Sequence, residues 1–246
     1  MLVDMGLANS RQRARSLIMA GQVLVNDVPV DKPGTPIPGS ARITLRGEDH
    51  RYVSRGGIKL EAALNAFRLN VHGWVCMDVG ASTGGFTDCL LHHGASKVYA
   101  IDVGYGQIAW KLRQDPRVVV VERTNIRHMA KETVPESMDL ATIDVSFISL
   151  KIVVPVVVPY LKPAGGMVLL IKPQFEAGKG RVGKGGVVRD PALLDEIVRD
   201  LTDTFSNSGF HCSKALPSPI RGPKGNQEYL MWLRRPLIRT FPNLLI

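Results

Sequence analysis

Two charged residues stand at the ends of strongly apolar runs. Asp144 follows Leu140-Ala141-Thr142-Ile143 and opens Val145-Ser146-Phe147, and Lys172 follows Met167-Val168-Leu169-Leu170-Ile171 and opens Pro173-Gln174-Phe175. If the runs are neighbouring parallel strands, an amine and a carboxylate meet at one rim of the sheet, where ligands bind in open α/β folds. Such a pair can align a hydroxyl and move its proton. A structural salt bridge is the plain alternative, although folding alone does not require charges there.

The second chemical signal is Asp78-Val79-Gly80-Ala81-Ser82-Thr83-Gly84-Gly85-Phe86-Thr87, a strand ending in a glycine turn that opens a helix. Bare backbone at that edge admits a ligand closely. The turn is not GxGxxG and carries no GKS or GKT, so dinucleotide and P-loop readings lack their fingerprint. A carboxylate at Asp78 would repel a pyrophosphate but meet an amino or sulfonium group, which favours S-adenosylmethionine. Candidate cofactor contacts are therefore Asp78, Gly80, Ser82, Thr83, Gly84, Gly85, Phe86 and Thr87, with Asp144 bordering the same crevice. Asp102, twenty-four residues after Asp78, stands where a doubly wound fold holds ribose hydroxyls. Asn125 is read either as a contact to an adenine edge or as an ordinary turn residue. No metal is expected, because the histidines show neither HxxxH nor HxH spacing and the three cysteines form no CxxC pair.

The elements that must position these residues alternate from residue 74 onward. Expected strands are 74–79, 97–103, 118–122, 139–145, 166–172, 210–215 and 229–234. Expected helices are 84–93, 107–114, 148–161 and 191–207, the third made irregular by Pro155 and Pro159. This rhythm gives an α/β fold, a Rossmann-like doubly wound seven-stranded sheet. Residues 176–188 form a glycine-rich insertion with three basic residues beside one strand end.

Residues 1–48 read as a separate small α+β domain, with the larger domain spanning 52–235. Ser10 can cap a helix on which Ala14, Leu17 and Ile18 share one face, and Gly21 stops it. Arg11, Arg13 and Arg15 lie off that face, and Arg11 and Arg15, one turn apart, can meet successive phosphates. Short strands at 23–26 and 28–30 complete a helix and hairpin.

Ser10-Arg11, Ala14, Leu17-Ile18, Gly21, Val23, Val25-Asn26 and Lys32-Pro33-Gly34 resemble the S4 RNA-binding module. Members of that module usually open with an Arg-Leu-Asp segment, and here the chain opens at Met1-Leu2-Val3. The expectation is a clipped first helix or a misassigned start. The blocks Tyr52 to Leu60, Asp78 to Thr87, Asp102 to Gln107, Arg117 to Asn125, Asp144 to Ser149, Lys172 to Glu176, Gly185 to Val188 and Gly225 to Tyr229 resemble the TlyA-type haemolysin family. That resemblance implies an S4 domain joined to an FtsJ-like methyltransferase that uses S-adenosylmethionine to methylate a ribose 2′-hydroxyl of ribosomal RNA, with cytidine the expected nucleotide. It matches Lys59, Asp144, Lys172 and Glu228 to the family's Lys-Asp-Lys-Glu tetrad. It is also the ground for placing Lys59 and Glu228 near the other two. His72-Gly73-Trp74-Val75 matches the family's interdomain linker loosely.

A 2′-hydroxyl is a weak nucleophile while a sulfonium methyl is already activated, so the protein mainly supplies alignment and a proton acceptor. Lys172 is the expected base. Desolvation and the like charge of Lys59 would favour loss of its proton, whereas Asp144 and Glu228 oppose it. The rival readings are a non-enzymatic RNA-binding protein with a degenerate methyltransferase domain and a pore-forming haemolysin.

Composition agrees with an RNA partner. Thirty-one Lys and Arg against twenty-two Asp and Glu give +9 over 246 residues, a field suited to ribosomal RNA or ribosomal subunits. Arg11, Arg13, Arg15, Arg55, Lys179 and Arg181 are the expected phosphate contacts. The longest uncharged apolar stretch, Ile152 to Leu161, is too short to cross a bilayer and contains two prolines, so a cytoplasmic protein without membrane contact is expected.

Overall fold

Residues 1–8, 10–26, 28–45, 51–178, 180–183, 185–222 and 224–235 are described by the structure, a computed structural model. Lys179, residues 46–48 and the tail 236–246 lie outside them. The chain divides into two units, Met1–Arg51 and Tyr52–Ile246.

In the first unit, helix α1 (Arg11–Met19) begins where Ser10 takes extended backbone and its side chain accepts from the Arg13 amide at 3.1 Å. Ala14 and Leu17 are buried, and Ile18 is partly so. Strands β1 (Val23–Val25) and β2 (Val28–Val30) form the expected hairpin, and Asn26 adopts the left-handed φ of +49° that a two-residue turn demands. A third strand, β3 (Ile43–Leu45), pairs with the other side of β1 and was not apparent from the sequence. The Asn26 side chain steers it there by accepting from the Arg42 amide at 2.9 Å. Ahead of α1, Met1–Ala8 forms turns, and Leu2 and Ala8 are buried with Leu17, Val23 and Ile43.

The second unit runs α2 (Gly56–Ala66), β4 (Val75–Val79), α3 (Gly85–His92), β5 (Lys97–Ile101), α4 (Trp110–Arg113), β6 (Val118–Val121), β7 (Met138–Ile143), α5 (Leu150–Val157), β8 (Leu161–Ile171), α6 (Pro173–Glu176), α7 (Pro191–Asn207), β9 (His211–Cys212), β10 (Leu216–Pro217) and β11 (Tyr229–Arg234). The sheet order is β10-β11-β8-β7-β4-β5-β6, with β9 also on β11. Strands β4 to β8 are parallel, and β11 runs antiparallel beside β8. Direction of winding reverses between β4 and β7, so the switch point lies just beyond Val79 and Ile143.

Alternation along the strands sorts the two faces. Met167, Leu169 and Ile171 pack with α5 and α7, whereas Val168 and Leu170 pack with α2 and α3. Helix α7 shows the matching helical rule, burying Leu193, Ile197, Leu201 and Phe205 behind an Asp190 cap.

Three expected elements differ. The helix at 107–114 shrinks to four residues because the Ala109 amide is tied in extended geometry to the Thr83 carbonyl, and alanine offers no cap. Helix α5 ends at Val157 and continues only as a 3₁₀ turn at Val158–Tyr160. The strand expected at 210–215 is reduced to β9, and β10 begins only at Leu216, because Ser213 bonds Trp232 through its own backbone and side chain and interrupts the ladder.

Replacing Ser10 with Ala is expected to lower the first unit's unfolding free energy by about 1 kcal/mol, read by chemical denaturation, with Ser10→Asp restoring it.

Candidate active site

A cavity of about 680 Å³ opens at the switch point. Gly80 to Thr83, Gly85 and Phe86 line it from the glycine turn and the start of α3, Ser54 and Arg55 from the segment leading into α2, Gly56 and Lys59 from α2, and Asp144, Lys172 and Glu228 from the strand ends. Lys172 Nζ lies 2.5 Å from Asp144 Oδ1 and donates to Ser146 Oγ at 3.0 Å. Lys59 Nζ donates to Glu228 Oε2 at 2.5 Å, and both residues are buried. The second carboxylate oxygen, Glu228 Oε1, is buried with no hydrogen-bond partner among the described residues, and a Cβ on Gly222 would sit 2.5 Å from it. The cavity therefore holds two amine–carboxylate pairs, and each keeps a buried oxygen that accepts no hydrogen bond among the described residues, Glu228 Oε1 in one and Asp144 Oδ1, held by its ion contact alone, in the other.

The loops leaving β7 and β8 are joined rung by rung. Below the Asp144–Lys172 contact, Phe147 packs against Phe175 with ring centroids 4.9 Å apart. Below that, Glu176 accepts from Ser149 Oγ at 2.6 Å and from the Leu150 amide at 2.9 Å, capping α5. Phe147 is 89% exposed and holds a φ of +65°, a conformation costly for a bulky residue. Burial pushes the Glu176 carboxyl up, against the hydrogen bonds it accepts.

The profile of FtsJ-like methyltransferases matches residues 52–235, and that of the S4 domain matches residues 1–43. The chain belongs to the FtsJ-like methyltransferase family. It is 49% identical over 234 residues to "16S/23S rRNA (cytidine-2'-O)-methyltransferase TlyA" of Mycobacterium tuberculosis, covering 95% of this chain and 87% of that one. It is 44% identical over 226 residues to "Hemolysin A" of Brachyspira hyodysenteriae, covering 92% and 94%. Among solved structures, "Putative hemolysin from Streptococcus thermophilus" superposes with a TM-score of 0.77 at 42% identity, covering 95% of this chain and 86% of that one.

Within the second unit of this FtsJ-like methyltransferase, Asp78, Gly84, Thr87, Asp102, Asn125 and Arg181 do not line the cavity. Asp78, read as facing the donor, is fully buried and turned into the protein. Its Oδ2 accepts from the Thr87 amide at 2.9 Å and the Thr87 hydroxyl at 2.7 Å, and its Oδ1 accepts from Thr142 at 3.2 Å. Asp78 and Thr87 thus fasten the start of α3. Gly84, at φ +97°, is a glycine because a Cβ would strike Leu112. Asp102 accepts from the Ser82 amide at 2.7 Å and the Gly104 amide at 2.6 Å, so its charge holds the glycine turn, where Ser82 sits at φ +50°. Asn125 caps a 3₁₀ turn by accepting from the Arg127 amide at 3.1 Å, the plainer of its two readings. Arg181 is bound at both guanidinium nitrogens by Glu196, each at 2.6 Å. Arg55 lines the cavity, and Arg11 and Arg15 are exposed on α1 while Arg13 is half-buried.

Ser146, Phe147, Gln174, Phe175, Arg221 and Lys224 line the cavity but were not singled out. The first four sit in the segments that follow Ile143 and Ile171, and Arg221 and Lys224 flank Gly222-Pro223 in the sequence shortly before Glu228.

Burial, reinforced by the nearby Asp144 charge, pushes the Asp78 carboxyl up to about 7, while the Thr87 and Thr142 hydrogen bonds resist. A raised carboxyl favours the folded state most at low pH, and that contribution is lost as pH rises through 7. The unfolding free energy of the parent relative to Asp78→Asn is therefore expected to fall between about pH 4 and pH 7 and level off above, as read by denaturation at each pH. Glu176→Ala, by leaving the Ser149 and Leu150 donors unpaired, is expected to cost roughly 1.5 to 3 kcal/mol of stability and to speed hydrogen exchange at the Leu150 amide. Glu176→Gln should recover most of both.

Proposed function

We propose that this protein transfers a methyl group from S-adenosylmethionine to a ribose 2′-hydroxyl of ribosomal RNA, that of a cytidine, and that its S4 domain grips the RNA. The observation that carries the proposal is the convergence of Lys59, Asp144, Lys172 and Glu228 on one cavity beside the glycine turn. The activity named for the Mycobacterium tuberculosis relative supports the nucleotide.

The residues present fit the donor. The cavity has the size that takes a nucleoside-scale molecule, and it presents the bare backbone of Gly80 and Gly85 together with carboxylates that suit a cationic group. When bound, S-adenosylmethionine supplies a methyl already activated by its sulfonium. Gly80 to Thr83 and Asp144 would hold it, with Asp102 fixing the turn from behind.

The protein's own work is alignment. Lys172 is steadied by Asp144 and Ser146, so its remaining N–H can orient the hydroxyl oxygen. Lys59 is ion-paired with Glu228 rather than presented to Lys172 as a free charge. This favours the orienting role over the general-base role, with the hydroxyl proton leaving to solvent as the bond forms. Exposed Phe147, backed by Phe175, offers an aromatic face on which an extruded base can stack. A protein that acts on ribosomal RNA would work in the cytoplasm. Separately, no described helix is long and apolar enough to cross a membrane.

The test incubates the protein and labelled S-adenosylmethionine with deproteinised rRNA, separated ribosomal subunits and tRNA, then hydrolyses the product with alkali. Resistance at one phosphodiester after a cytidine is the expected result, whereas RNA binding without label transfer supports the non-enzymatic rival. Lys172→Ala is expected to lower turnover roughly 10²-fold or more with donor affinity little changed. Phe147→Ala should lower RNA turnover roughly tenfold, and Phe147→Tyr should restore it.

A further inference from the structure

Arg221 and Lys224 are exposed on the cavity rim and meet no carboxylate among the described residues. Of the neighbouring cations, Lys59 is spent on Glu228, Lys172 on Asp144 and Arg181 on Glu196, while Arg55 is, like these two, exposed without a carboxylate among the described residues. The two free cations stand on a turn held by hydrogen bonds from the Gly222 amide to the Asn226 carbonyl at 2.9 Å and from the Gly225 amide to the Gly222 carbonyl at 2.8 Å.

This turn is locked to the glycine-rich segment forty residues earlier. Asn226 is buried, its Oδ1 accepts from the Val188 amide at 2.9 Å, and its Nδ2 donates to the Gly186 carbonyl at 2.8 Å. The Lys224 ammonium lies over Gly186, 3.5 Å from where a Cβ would stand. Two loops thus form one wall, and Arg221 and Lys224 on it meet no carboxylate among the described residues. Cations without acidic partners at the rim of a cavity suit an anion brought by the ligand.

We propose that Arg221 and Lys224 form a clamp for backbone phosphates of the RNA strand entering the cavity, with Asn226 the positioning residue that sets it. The identity of the strand rests on the methyl-transfer reading. The clamp shifts the phosphate contact expected at Arg181 to a different loop, because Arg181 is already engaged by Glu196.

The clamp is tested by RNA affinity rather than by transfer. Binding of labelled deproteinised rRNA is measured from about 50 to 200 mM salt for the parent, Arg221→Gln/Lys224→Gln and Asn226→Ala. The double variant is expected to bind roughly tenfold more weakly at low salt and to flatten the plot of log affinity against log salt by about 1.5 to 2. Asn226→Ala removes no charge, so weaker binding at the parental slope is expected. If that variant does not fold, the double variant at exposed positions decides alone. An unchanged slope in the double variant overturns the clamp. So does a loss of S-adenosylmethionine affinity with the RNA slope intact, which would assign the cations to the donor's carboxylate. A parent protein that binds rRNA with the steep slope yet transfers no methyl overturns the methyl-transfer reading and leaves the clamp standing.

Discussion

Strands β7 and β8 pair in register with Ile143 opposite Leu169, so Asp144 stands level with Leu170 and Lys172 lies two residues farther along. At about 3.3 Å per residue the offset approaches 7 Å, a distance that a lysine arm spans and a shorter amine does not. The 2.5 Å contact to Asp144 therefore draws Lys172 back across the strand end, and Pro173 turns the chain directly into α6. Once that contact fixes the first rung, the next two follow at helical and loop spacing: Phe147 on Phe175, then Ser149 and Leu150 on Glu176. The left-handed φ of Phe147 is sustained by the rungs on either side of it.

The second ion pair obeys a different constraint. Lys59 and Glu228 are both buried, and a buried pair gains little net stability once desolvation is counted. Among the described residues Glu228 Oε1, like Asp144 Oδ1 in the first pair, has no hydrogen-bond donor, a deficit of roughly 1 to 3 kcal/mol that a purely structural pair would be expected to avoid. What brings Lys59 there is close glycine packing. A Cβ on Gly57 would fall inside the Tyr52 ring, and one on Gly85 would strike Ser54 Oγ, so α2 and α3 approach at a separation that side chains would forbid.

Much of this was legible in the sequence because it depends on local pattern. The β4–α3 glycine turn, the α7 periodicity and the Ser10 cap each declare themselves within a few residues. Where the structure engages a sequence-selected side chain with protein groups instead, the reason is tertiary. Asp78 has the composition of a ligand contact, but three donors, two on Thr87 and one on Thr142 across the sheet, draw its carboxylate inward. Arg181 reads as a phosphate contact until Glu196 on α7 is known to face it. Pairing of distant charges leaves no periodic trace, so net charge reports how many cations exceed anions but not which remain free.

Strand direction explains why one half of the site was visible and the other was not. A parallel strand delivers to the functional rim the residue that follows it, which is why charges after Ile143 and Ile171 could be recognised as chemical. Strand β11 runs antiparallel, with Tyr229 opposite Ile171, and so delivers to that same rim the residue that precedes it, Glu228. Read with the parallel rule, Glu228 falls at the wrong end of its strand and looks like a solvated charge. Reversal of this strand also brings the 221–226 turn to the rim beside the glycine-rich segment that follows α6, so the Asn226 lock is a consequence of the same topology. The antiparallel strand is therefore what closes the cavity: it contributes the partner of Lys59 and, through the turn leading into it, the two free cations on the wall.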